Sequence, residues 1–92
     1  MTLRFTEAAL RDLDEIFRFL AVNHPDAYEA FGRRLRRSLA RIERWPKSAQ
    51  AVAQREGVRV VPLIRYPYKV FFREMPDGVE VLHVHHAARQ DP

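Results

Sequence analysis

Apolar residues in this chain recur every three or four positions up to Trp45, and every second position from Val58 to the last strand-like segment. The first spacing is that of a helix with one buried stripe; the second is that of strands with alternating faces. Ala9, Leu13, Ile16 and Leu20 share one stripe, with Leu10 and Phe17 beside it. Arg11, Asp12, Asp14, Glu15 and Arg18 fill the outer positions and read as a solvated face. Thr6 is placed to cap this helix, and Glu7 sits well in its first turn. Asn23-His24-Pro25-Asp26 is a stop and a restart. Pro25 suits the first turn of a second helix, where its missing N–H costs nothing. Tyr28, Phe31, Leu35, Leu39 and Ile42 carry the second stripe to Trp45, and Pro46 ends it. A hairpin of two amphipathic helices is therefore predicted.

Strands flank that hairpin. Thr2-Leu3-Arg4-Phe5 alternates as a short strand would, whereas residues 46–57 have no period and read as a loop closing at Gly57. Residues 58–63 are a strand in which Pro62 predicts one side without a ladder partner. An aromatic-basic strand, Arg65 to Arg73, follows. In it Tyr68, Val70 and Phe72 alternate with Lys69, Phe71 and Arg73, so both faces carry aromatics. Either both faces are covered or one awaits a partner. Met75-Pro76-Asp77-Gly78 is a hairpin turn into a last strand, residues 79–86. The order β-α-α-β-β-β predicts an α+β fold, a twisted antiparallel sheet with the helical hairpin packed on one face. The 92 residues make one domain, 1–92. A chain this short buries roughly 60–65% of its unfolded surface, so a partner can add much of its stability.

The chain has no cysteine, which excludes disulfides, thiolate metal sites and cysteine nucleophiles and suits a reducing cytosol. No apolar run approaches the ~20 residues of a membrane span, and charged residues from Arg4 to Asp12 stand where an export signal needs an apolar stretch. A cytoplasmic location is expected. The net charge of +4 is unevenly spread. Residues 1–30 hold three arginines against six acids, while residues 31–45 hold six arginines against Glu43 alone. Fourteen of the sixteen cations are arginine, whose planar fork pairs with carboxylate or phosphate and tolerates desolvation. An acidic partner or a polyanion fits this pattern; so does a well-solvated helix face.

His83 and His85 share one strand face and could hold zinc if a third ligand arrived from His86, Asp91 or Glu80. A surface imidazole pair is the simpler reading, and neither a metal nor a cofactor is expected. Arg59, Arg65, Lys69, Arg73 and Arg89, with Tyr68 and His86, form a second constellation. Metal-free RNA cleavage needs a base, an acid and cations for the phosphate, which imidazole, phenol and guanidinium supply. The same residues suit a site that only binds nucleic acid or an acidic protein. They also suit core aromatics with cations at the sheet rim. Gly32, Gly57 and Gly78 are isolated, so no phosphate-cradling loop is present, and Ser38 and Ser48 lack a nucleophile-elbow context.

The whole length resembles the RelE/ParE superfamily of toxins from bacterial type II toxin–antitoxin systems. The resemblance rests on Ala9, Asp12, Leu13 and Ile16 at the first helix, Pro25 opening the second, and Trp45-Pro46 closing it. It continues with Gly57-Val58-Arg59 and Tyr66-Pro67-Tyr68-Lys69-Val70-Phe71-Phe72-Arg73. It ends with Val81-Leu82, Val84, His86 and Arg89. It implies a small intracellular toxin that arrests growth and is neutralised by a co-expressed acidic antitoxin. Phe31, Arg34, Arg37, Arg41 and Phe71 are the residues expected to meet that antitoxin, by helix-in-groove docking or an added strand, in a toxin–antitoxin hetero-oligomer.

RelE-like members cut mRNA on the ribosome with basic residues and a His or Tyr near the C-terminus. ParE-like members are associated with inhibition of DNA gyrase. The tail here, His86-Ala87-Ala88-Arg89, is more similar to the ParE branch, and no Tyr follows the last strand. The expectation is a ParE-like inhibitor that is not an enzyme, with target contacts from Arg59, Tyr68, Lys69, Arg73, His86 and Arg89. The alternatives are a metal-independent endoribonuclease acting on the ribosome through Arg73, His86 and Arg89, and a decayed, non-toxic binding module.

Overall fold

A computed structural model describes residues 2–88. The elements run β1 (Thr2–Phe5), α1 (Glu7–Asn23), α2 (Pro25–Arg44), a short 3-10 turn (Pro46–Ser48), β2 (Gln50–Ala51), β3 (Val58–Pro62), β4 (Tyr68–Met75) and β5 (Gly78–His86). The α+β architecture is as expected, with both helices against one face of a five-stranded sheet. The sheet order is β1-β5-β4-β3-β2. β2 to β5 pair antiparallel, but β1 runs parallel to β5, so the sheet is mixed rather than purely antiparallel. The reason is connectivity. The helical hairpin lies between β1 and the other strands and returns the chain for a crossover that no tight turn could make.

Local chemistry sets the helix ends. The Thr6 hydroxyl accepts from the Ala9 N–H at 3.0 Å and donates to the Leu82 carbonyl at 2.8 Å, so one side chain caps α1 and ties it to β5. His24 separates the helices, Pro25 opens α2, and the Trp45 N–H closes it on the Arg41 carbonyl at 2.8 Å. Ala9, Ile16 and Leu20 from α1 meet Phe31, Leu35, Leu39 and Ile42 from α2 over Val70, Phe72, Val79, Val81 and Val84. Leu10, placed beside the stripe by its spacing, is more than half exposed.

The segment 46–57 is not wholly a loop, since it forms the 3-10 turn and the two-residue edge strand β2. β2 reaches only Arg59 and Val60, so Pro62 has β4 on one side and no ladder partner on the other. The aromatic-basic strand begins later than its composition indicated. Arg65 lies in the turn before β4 with φ 76°, and Tyr68 is the first β4 residue. Both sheet faces are covered. Val70 and Phe72 belong to the helix-side core, while Phe71 packs with Val52, Val58, Val60 and Leu82 in a second cluster.

The β4–β5 ladder carries a bulge. Phe71 pairs with His83 and Phe72 with Val81, which leaves Leu82 extra on β5. Gly78, opening β5, is there for room. A Cβ built on it would lie 1.9 Å from the Thr2 carbonyl oxygen of the parallel neighbour β1.

Candidate functional site

Three of the five residues expected to meet an antitoxin come together. Arg34, Arg37 and Arg41 recur along one side of α2 and line a groove of about 420 Å³ between that helix and the β3 edge. Trp45 and Ile64 supply its apolar part and are 55% and 65% exposed. The Arg44 guanidinium lies over the Trp45 ring at 4.7 Å. Among the described residues no carboxylate pairs with Arg34, Arg37 or Arg41, although α1 carries the pair Arg18–Asp14 at 2.9 Å. The groove therefore combines cations without partners, exposed apolar surface and a sheet edge left unpaired past Val60. It can accept an acidic amphipathic segment or a strand.

Phe31 and Phe71 are corrected by the same geometry. Both are fully buried. Phe31 stacks edge-on against Phe17, Tyr66 and Tyr68 at 5.3, 5.4 and 5.6 Å, in the centre of the helix-side core. Phe71 lies under the opposite face of the sheet, filled by Val52 from the segment that showed no period. Neither can touch a partner on this surface. The exposed apolar surface beside the arginines comes instead from Trp45 and Ile64. The only sequence signal for them was position: an aromatic at a helix end before proline, and an isoleucine outside a strand.

The basic residues of the sheet do not converge. Tyr68 faces His86 across the β4–β5 ladder with ring centroids 5.5 Å apart, and the pair opens onto a hollow shared with Phe19 and Tyr66. Arg73 sits at the other end of β4, paired in register with Glu80 and held by it at 2.8 Å. Five residues separate Tyr68 from Arg73 on one strand, roughly 17 Å at about 3.4 Å per residue. Faces differ too. Arg59 pairs with Phe72 and so lies on the helix side, where its guanidinium donates to the Ala49 carbonyl at 2.8 Å. Lys69 is within 5.6 Å of the Phe71 ring on the opposite face. The catalytic set Arg73 and His86 is thus split, and Arg89 lies outside the described residues.

The imidazole pair also differs from its expected setting. His85 is buried, and the two rings are 4.7 Å apart. The third group beside them is Asp12, which spacing had placed on a solvated helix face. Its Oδ2 accepts from the Val84 N–H at 3.0 Å and lies 3.5 Å from His83 Nδ1 and 3.9 Å from His85 Nε2. β1 ends at its pairing with Val81, so by Val84 the β1 side of β5 has no strand neighbour while β4 still pairs on the other side, and the Asp12 carboxylate takes the open place. No helix among the described residues is long and apolar enough to cross a membrane.

Comparison with known proteins bears on the whole arrangement. Residues 3–91 match the family model described as ParE toxin of type II toxin-antitoxin system, parDE. A search of curated proteins gives no match. Among solved structures, one described as a chromosomal ParDE TA system from P. aeruginosa superposes with a TM-score of 0.76 at 22% identity, covering 94% of this chain and 95% of that one. That likeness speaks for the fold, and the family match speaks for descent. The chain belongs to the ParE toxin family of type II toxin–antitoxin systems.

Proposed function

We propose that this ParE-family toxin arrests growth in the cytoplasm by inhibiting DNA gyrase, and that a co-expressed acidic antitoxin neutralises it by lying in the α2 groove as a toxin–antitoxin hetero-oligomer. The groove carries the antitoxin half of this reading, with Arg34, Arg37 and Arg41 beside Trp45 and Ile64. Exposed apolar area gives such a segment affinity, and arginines with no carboxylate partner among the described residues give it sign and register. The gyrase half is supported by membership of the ParE family and by protein–protein inhibition needing no catalytic constellation.

The ribonuclease alternative asks one site to hold a proton-transfer group and phosphate-binding cations within hydrogen-bond reach. Arg73 is bound to Glu80 at the far end of the ladder from His86, which weighs against that site. The test is supercoiling by purified gyrase with antitoxin-free toxin titrated in. Loss of supercoiling, restored by an acidic antitoxin, is the expected result. Full gyrase activity at saturating toxin would refute the gyrase reading. Growth arrest on expression would separately rule out a decayed, non-toxic module.

A further inference from the structure

We propose that Asp12, His83 and His85 form a divalent-metal site, with zinc the best-matched ion, that staples α1 to the last strand. One ligand atom from each of the three lies within 4.8 Å of the others. Two imidazoles and one carboxylate are a donor set that zinc accepts, with bonds of about 2.0–2.2 Å and a fourth position left to water. Ligand atoms around such a tetrahedral centre stand roughly 3.3–3.5 Å apart. The Asp12–His83 separation of 3.5 Å already meets this, and the Asp12–His85 separation of 3.9 Å needs only a small contraction.

The ligands are held in advance. The Val84 N–H holds Asp12 Oδ2, the same oxygen that lies beside both imidazoles, at 3.0 Å, and a carboxylate oxygen that accepts one hydrogen bond keeps a lone pair for a metal. The His85 ring packs against Phe71 at 5.5 Å and is 4% exposed, so its orientation is set by the core. Outer contacts of this kind orient metal ligands and raise affinity. The His83 side chain is 29% exposed and Asp12 18%, which leaves a way in for the ion from solvent. Helix and strand contribute ligands far apart in sequence, so binding would be linked to folding. An Asp–His hydrogen-bonded cluster with no affinity for metal is the competing account.

The experiment uses untagged, chelator-treated protein. Co²⁺ is titrated in as a spectroscopic stand-in for zinc, and thermal unfolding is followed with and without Zn²⁺. The expected results are one Co²⁺ per chain with the intense visible absorption of a four-coordinate centre, and a Tm raised by roughly 15 °C when zinc is a hundredfold above its dissociation constant. His83→Gln should weaken binding at least tenfold and remove the absorption, and so should Asp12→Asn, which keeps an oxygen acceptor for Val84. His86→Gln should leave both signals unchanged. Should Asp12→Asn fail to fold, His83→Gln on its half-open site decides the question. No cobalt absorption and no zinc-dependent rise in Tm would overturn the proposal, as would equal binding by His83→Gln and the parent protein.

Discussion

Arg73 and His86 occupy opposite ends of the β4–β5 ladder, Arg73 in register with Glu80 and His86 in register with Tyr68. Two side chains so placed cannot act on one phosphate. A positioned acid or base contributes about 10²–10⁴-fold to a rate, so a ribonuclease would lose that much with His86. The account predicts instead that His86→Ala and Arg73→Ala each shift the toxin level needed for growth arrest by less than about tenfold, well below that range. Titrated induction of each variant checks this.

In the α2 groove, apolar and charged residues should contribute unequally. Exposed ion pairs are worth about 0.2–1 kcal/mol, so Arg37→Ala or Arg41→Ala should weaken antitoxin binding only severalfold. Trp45 is a large exposed aromatic at the groove's apolar end, and its truncation should cost about 2 kcal/mol, roughly 30-fold. Calorimetry with the purified antitoxin measures both, and added salt should lower the affinity of the parent more than that of an Arg34/Arg37/Arg41 triple alanine variant.

Asp12 satisfies the Val84 N–H on the side of β5 that β1 no longer reaches. Asp12→Ala leaves that donor without an acceptor and should destabilise the fold by about 1–3 kcal/mol, whereas Asp12→Asn should cost less because its carbonyl oxygen can still accept. Urea unfolding of the two variants in metal-free buffer distinguishes them, and equal losses would contradict this role.

Gly78 and Gly57 are needed for different reasons, which predicts different costs. Gly57 has φ 78° and open space around it, so Gly57→Ala should cost about 1–2 kcal/mol for the left-handed backbone alone. At Gly78 the new methyl would meet the Thr2 backbone at 1.9 Å, which forces β1 off β5. Gly78→Ala should therefore lose far more stability than Gly57→Ala, measured by thermal unfolding of both.

Most of the fold was legible because its signals are local. The stripes of α1 and α2, the break at Pro25 and the Pro-Asp-Gly turn each announce themselves within a few residues. The parallel pairing of β1 with β5 was not, because contact between Thr2 and Gly78 leaves no trace in the spacing around either residue. The same limit hid Asp12, whose helical position looks solvated until β5 is brought beside it. Aromatics on both faces of β4 were visible, but Val52, the residue that covers Phe71, sits in a segment without period. The arginine triplet of α2 was readable because helical spacing puts Arg34, Arg37 and Arg41 on one side. The apolar half of its groove was not, because it depends on where the β3–β4 turn carries Ile64.

The most direct test of the central claim is pulse-labelling of DNA and protein synthesis after tightly controlled induction of the toxin in bacteria. Inhibition of gyrase predicts that DNA synthesis falls first while translation continues. An early fall in translation, with DNA synthesis following later, would contradict the account and return attention to the residues around His86.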